Sequence, residues 1–179
     1  NTPGLRDLQK RSSLEELIIS IKKIKNINSK ISKKPLMIKI SPDIDEEQKK
    51  DIALTCLAQS IDGIIISNTT INREYKINDK YFVEAGGLSG KPLFEISTQL
   101  LKEMFIYTGG KIPLIGVGGI NSGRDAYEKI KAGASLVQIY TALTYEGPSI
   151  IEKINNELIH LLEADGFSNI SQAIGIDSR

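Results

Sequence analysis

Four short runs of mostly Ile, Leu and Val recur along the chain, and each is followed by a stretch with helical spacing. They are Leu36–Ser41 (LMIKIS), Gly63–Asn68 (GIIISN), Ile112–Gly119 (IPLIGVGG) and Ser135–Leu143 (SLVQIYTAL). None alternates cleanly with polar residues, the pattern of parallel strands covered on both faces. Between and after them, apolar residues fall at i, i+3 and i+4, as in Leu14, Leu17, Ile18, Ile21 and Ile24, and again in Ile150, Ile151, Ile154, Leu158 and Leu161. Strands alternating with helices mean βα units and a parallel sheet. About four such units form half of an eight-stranded barrel, which takes ~250 residues when whole. The expected fold is therefore α/β, the C-terminal half of a (β/α)8 TIM barrel, with residues 1–179 as part of one domain. An open doubly wound sheet is the alternative.

Helix ends agree with this pattern. Asp45-Glu-Glu-Gln48 opens one helix with an acidic first turn, and Ser13 with Glu16 predicts an N-cap at the start of a helix over Ser13–Asn28. The segment Asp125–Ala132 ends in Lys129 and Lys131 before Gly133, so both lysines are expected at the carbonyl end of the dipole and Gly133 in the left-handed position. The polar stretch Ile71–Ser89 reads as a long loop.

Charge and composition remove several function classes. The chain carries 23 Lys+Arg against 22 Asp+Glu, which gives no field for nucleic acid. One Cys and one His exclude a disulfide framework and a typical histidine metal cluster. No apolar run approaches the ~18–20 residues of a membrane span. The opening NTPGLRDLQK has no apolar core of a signal peptide.

In βα barrels the functional groups sit at the C-terminal ends of the strands. Lys39 shares one strand face with Met37 and Ser41, on a strand expected to be buried on both faces. An ammonium there is costly without an anion, so it is directed into a ligand site, held in an ion pair, or reaches water from an edge strand. Ser67-Asn68-Thr69-Thr70 offers donors and acceptors to a planar polar ligand, or turn chemistry. Gly118-Gly119, before the helix opening at Ser122, lets backbone N–H groups approach an anion, or simply makes a tight turn. Tyr140-Thr141, read as the end of the last strand, could complete such an anion site. Gly86–Gly90 (GGLSG) is a flexible loop open to either use. Cys56 reads as a buried inert thiol, and His160 as a surface or packing residue.

Taken together, the segments NTPGLRDLQ, MIKISPD, DGIIISNTT, GGLSGKPL, IPLIGVGGINSGRDAYEKIKAGASLVQIYTAL and the closing AIG resemble class 2 dihydroorotate dehydrogenases, in order and over essentially the whole chain. The resemblance implies a flavin barrel that oxidises dihydroorotate to orotate on FMN and passes electrons to a quinone at a membrane. By motif, Lys39 and Ser67 contact the flavin, and Gly90, Gly118, Gly119, Tyr140 and Thr141 surround it and its phosphate. Asn68 and Thr69 bind orotate, as does Asn1, the Asn of the family's SPNT motif.

The resemblance also implies parts outside this chain. The general base is a Ser two residues before Asn1, so no catalytic base is assigned here. The first half of the barrel, and the N-terminal helices that meet quinone and membrane, are expected upstream. Tyr140, Thr144 and Pro148 match a YTALT…GP segment on the quinone side. The implied location is the mitochondrial inner membrane, or the cytoplasmic membrane in bacteria. Another FMN or phosphate-binding barrel, or a non-catalytic half-barrel module, is the alternative.

Overall fold

The computed structural model describes residues 4–73 and 85–179, and all statements below concern these. Its elements run α1 (Arg11–Ile27), β1 (Met37–Ile40), α2 (Glu46–Ala58), β2 (Gly63–Ile66), α3 (Phe94–Thr108), β3 (Leu114–Val117), α4 (Gly123–Lys131), β4 (Ala134–Gln138), α5 (Thr141–Glu146) and α6 (Ser149–Ala164). The four strands lie in the order β1-β2-β3-β4, every pair parallel. Each expected apolar run thus holds a strand, shorter than the run itself.

The last run departs most. SLVQIYTAL keeps strand geometry only through Gln138, and Thr141 begins α5, with Tyr140 as its N-cap. An unbroken apolar run has no period that separates strand from buried helix, and Tyr140 carries no capping signal. Tyr140 and Thr141 therefore open a helix rather than end a strand.

Register assigns the two faces of the sheet. Ile40 pairs with Ile66, and Ile64 with Leu114, and these residues join Leu14, Ile18, Ile52, Leu101 and Met104 in one buried cluster against α1, α2 and α3. A second cluster holds α4 against α6, through Ala126, Ile130, Ile150, Ile154 and Leu158. The opposite sheet face leaves Met37, Lys39, Leu136 and Gln138 exposed. The expectation that every strand is buried on both faces fails there, because the helices pack on the other side.

Asp45 caps α2 as expected: its carboxylate accepts from Gln48 N at 2.8 Å, and Gln48 Oε1 accepts from Asp45 N at 3.1 Å. Ser13 does not cap α1. The helix starts two residues earlier, after Lys10, with no side-chain cap, so Ser13 is already inside the first turn. Gly133 has φ +123, outside the left-handed helical well, and a Cβ there would stand 2.6 Å from the Phe105 side chain. Close approach of α3, not a C-cap, requires that glycine. Lys129 and Lys131 both lie in the last turn of α4 as expected, but Lys129 is fully buried there.

Candidate functional site

The C-terminal ends of all four strands open onto one cavity of about 1390 Å³. Its wall takes Lys39 from β1, Ser67, Asn68 and Thr69 after β2, Gly90 before α3, Gly118 and Gly119 after β3, and Tyr140 and Thr141 at the start of α5. Every site residue read from the sequence borders this cavity, except Asn1, which lies outside the described residues. Thr144 and Pro148 are exposed and are not part of the wall.

Lys39 stands on the open sheet face, aligned with Ile65 on β2. Lys39 is exposed on an edge strand, as one of the sequence readings allowed, and it borders the cavity. Lys91, Glu95, Asp125 and Glu146 also line the cavity.

The loop after β2 is stitched to both neighbouring strands. Ser67 N donates to Val117 O at 3.0 Å, and Asn68 N donates to Ile40 O at 2.8 Å. Ser67 is buried, with Oγ donating to Asn68 O at 2.8 Å, while Asn68 Oδ1 accepts from Thr69 N at 2.9 Å. Thr70 is fully buried and donates through Oγ1 to Asp43, whose other oxygen accepts from Ile71 N at 2.9 Å. Asp43 is thus the anchor of the Ser67–Thr70 loop, a role not assigned from sequence. Its signal was an acid placed shortly after the strand end, in SPD. Thr70 and Leu88 exchange two backbone bonds, of 3.2 and 2.7 Å, which draws the GGLSG loop to the same rim.

Two glycines shape the opposite wall. Gly118 has φ +124, and a Cβ on it would stand 2.7 Å from Ser97 Oγ. Gly119 has φ +74, and its Cβ would stand 2.5 Å from Phe94 Cβ and 2.8 Å from the Phe94 backbone. Only a glycine permits this backbone to lie against the first turn of α3. Across from it, Thr141 Oγ1 hydrogen-bonds Ser89 Oγ at 3.0 Å, and the Thr141 methyl would touch a Cβ on Gly90 at 3.2 Å.

The start of α4 has its backbone donors satisfied within the chain. Ser122 Oγ accepts from Asp125 N at 3.1 Å, Asp125 Oδ2 accepts from Asn121 N at 2.8 Å, and Glu157 Oε2 accepts from Gly123 N at 2.5 Å. Two carboxylates already occupy those donors. By contrast, no side chain caps the first turn of α5. The glycine loop and the start of α5 at Tyr140–Thr141 both border the cavity.

Cys56 and His160 take no part in the wall. Cys56 is buried, and burial pushes its thiol up to about 12. His160 is exposed on α6, 3.8 Å from Glu163. Among the described residues no cluster of His, Cys, Asp and Glu could hold a metal, and no helix is long and apolar enough to cross a membrane.

The family model described as dihydroorotate dehydrogenase matches residues 1–162. The chain belongs to the dihydroorotate dehydrogenase family. It is 50% identical to the mitochondrial dihydroorotate dehydrogenase (quinone) of Oryza sativa subsp. japonica, over 99% of this chain and 38% of that protein. It is 46% identical to the dihydroorotate dehydrogenase (quinone) of Xanthobacter autotrophicus, over 100% of this chain and 51% of that protein. The chain thus spans about 38–51% of the length of these relatives. The ligand-free dihydroorotate dehydrogenase of Eimeria tenella superposes with a TM-score of 0.93 at 38% identity, covering all of this chain and 53% of that one. The same enzyme in complex with ferulenol gives 0.91. The parallel four-stranded α/β sheet is consistent with part of the barrel of this family, whose members are flavin-dependent.

Proposed function

We propose that residues 1–179 are the C-terminal part of a single FMN-binding barrel domain in a quinone-dependent dihydroorotate dehydrogenase, which oxidises dihydroorotate to orotate in pyrimidine biosynthesis. The observation that carries this reading is the single cavity gathering Lys39, Ser67, Asn68, Thr69, Gly90, Gly118, Gly119, Tyr140 and Thr141 from separate strand ends. The wall suits FMN. A loop that tolerates no Cβ leaves backbone N–H groups close to the cavity, and an uncapped helix start faces it, the donor set that a phosphate monoester takes.

In this reading Gly118, Gly119, Tyr140 and Thr141 hold the phosphate, while Lys39, Ser67 and Gly90 contact the rest of the flavin. When bound, the flavin accepts the hydride equivalent of the oxidation and hands its electrons to the quinone. Lys39 contributes a positive charge where negative charge builds up as the reaction proceeds. Asn68 and Thr69, together with Asn1, orient dihydroorotate; an amide that both donates and accepts matches the carbonyl and N–H edge of a pyrimidine. The stitching of their loop to Ile40, Val117 and Asp43 keeps those groups in place. The proton is taken by the Ser that the family places two residues before the position of Asn1.

The partners proposed are dihydroorotate and orotate, a quinone, the N-terminal half of the same barrel, and a membrane met through N-terminal helices; nucleic acid is not among them. The location proposed is the mitochondrial inner membrane, with the bacterial cytoplasmic membrane as the alternative. Stopped-flow reduction of the complete polypeptide by dihydroorotate tests the reading. Lys39→Ala should slow flavin reduction by about 10²–10³-fold, and Asn68→Ala should weaken orotate binding while flavin is retained. Near-normal reduction in the first variant, or flavin loss with unchanged orotate affinity in the second, would contradict these assignments.

A further inference from the structure

Lys129 is the one lysine among the described residues that is fully buried. It lies on the inward stripe of α4, and no carboxylate among the described residues reaches ion-pair distance of its Nζ. Its partners are neutral: Nζ donates to Phe94 O at 3.1 Å and to Ser97 Oγ at 2.5 Å, and lies 4.7 Å from the centre of the Phe94 ring. Burial pulls its pKa down to about 7, with Asp125 and Glu128 pulling back only in part. A buried ammonium without a counter-ion is costly, and an apolar side chain of similar volume would fill the same space without that cost. Packing therefore does not explain why a lysine stands here.

Its two partners do. Phe94 and Ser97 form the first turn of α3, the surface against which the glycine loop is pressed. The absent Cβ of Gly119 would collide with the Phe94 backbone, and that of Gly118 with Ser97 Oγ. Ser97 Oγ accepts from Lys129 and directs its own proton among the carbonyls of Leu93 at 2.7 Å, Phe94 at 3.2 Å and Gly118 at 3.4 Å. The charge is thus one side chain behind the loop whose front lines the cavity. Water is excluded from that path, so a charge at the back is weakly screened from an anion at the front.

We propose that Lys129 is the positioning residue of the phosphate-binding loop: it fixes the α3 turn that sets Gly118 and Gly119, and its buried positive charge favours a phosphate group on the far side of that loop. The proposal rests on the reading of this wall as the phosphate end of the flavin site. It assigns Lys129 to recognition of the phosphate, not of the ring.

Comparing FMN with riboflavin isolates that role. The apoprotein of the complete polypeptide, wild type and Lys129→Met, is titrated with each flavin at pH 6, below the Lys129 pKa of about 7, and followed by quenching of flavin fluorescence. The wild type should bind FMN more tightly than riboflavin. Lys129→Met should lower that FMN-to-riboflavin affinity ratio by about tenfold or more, with riboflavin affinity held within about twofold. If Lys129→Met does not fold, Lys129→Gln, which keeps a donor for Phe94 O but not the charge, carries the same expectation. Equal weakening of both flavins, or an unchanged ratio, would mean that Lys129 only supports the fold, and the proposal falls while the flavin site stands. A wild type without preference for FMN would overturn the phosphate wall itself, and this proposal with it.

Discussion

Replacing Gly119 by Ala should damage flavin retention far more than the same change at Gly166, although the two glycines share almost the same φ. Gly119 has φ +74 and Gly166 φ +77, so alanine meets the same left-handed penalty at both, roughly 1–2 kcal/mol. Alanine also narrows the unfolded ensemble, which returns about 0.4–1 kcal/mol at each site. At Gly166 nothing lies within 4 Å of the added Cβ, and the net cost should be about 1 kcal/mol or less. At Gly119 the Cβ meets Phe94 Cβ at 2.5 Å and Phe94 Cα and N at 2.8 Å. Those are mostly backbone atoms, which cannot rotate away; the loop or the first turn of α3 must move, adding roughly 1–3 kcal/mol. Thermal unfolding of the two variants of the complete polypeptide measures the stability difference, and the absorbance of bound flavin after gel filtration measures retention. Gly166→Ala should stay flavin-loaded and lose little stability, while Gly119→Ala should lose more and emerge depleted of flavin. If both keep their flavin and unfold together, the close approach of Gly119 to Phe94 does not shape the site.

Two further outcomes follow from the geometry. Asp43→Ala removes the acceptor of Thr70 Oγ1 and Ile71 N; it should cost about 1–3 kcal/mol and raise the KM for dihydroorotate more than it lowers kcat, measured by steady-state dye reduction. Lys129 has a folded pKa lowered to about 7, against about 10.4 when unfolded. Between those values the unfolded chain binds more protons, so this residue should make apoprotein stability rise with pH, by at most ~1.4 kcal/mol per unit, with its cost fully present below pH 7. Subtracting the stability–pH curve of Lys129→Met from that of the wild type isolates the slope; a flat difference from pH 7 to pH 9.5 would refute it.

Much of this molecule was legible because its local signals agree with its fold. The Ile-rich runs hold the four strands, and the Asp45–Gln48 box begins α2 as the residue types require. The site residues were legible through motif and through the rule that function collects at strand ends. Other features needed the third dimension. Alternation in LMIKIS separates Lys39 from Ile40 but does not say which face receives helices, so it does not choose between the buried and the edge-strand readings of Lys39. SLVQIYTAL has no clean periodicity, and nothing at Tyr140 marks the change from strand to helix. Lys129 does fall in the last turn of α4, as its place before Gly133 suggests, but that position alone does not reveal its burial. The spacing adds the better signal, since Ala126, Lys129 and Ile130 share one face of α4 and all are buried. A charge on an apolar stripe outranks a charge near a helix end.

The most direct test of the proposed site is the crystal structure of the complete polypeptide with FMN and orotate. The phosphate should lie against the backbone of Gly118 and Gly119 and the start of α5 at Tyr140–Thr141, with orotate beside Asn68 and Thr69 and the flavin in contact with Lys39. A phosphate at the start of α4, beside Asp125 and Glu157, or an orotate site away from Asn68, would contradict it.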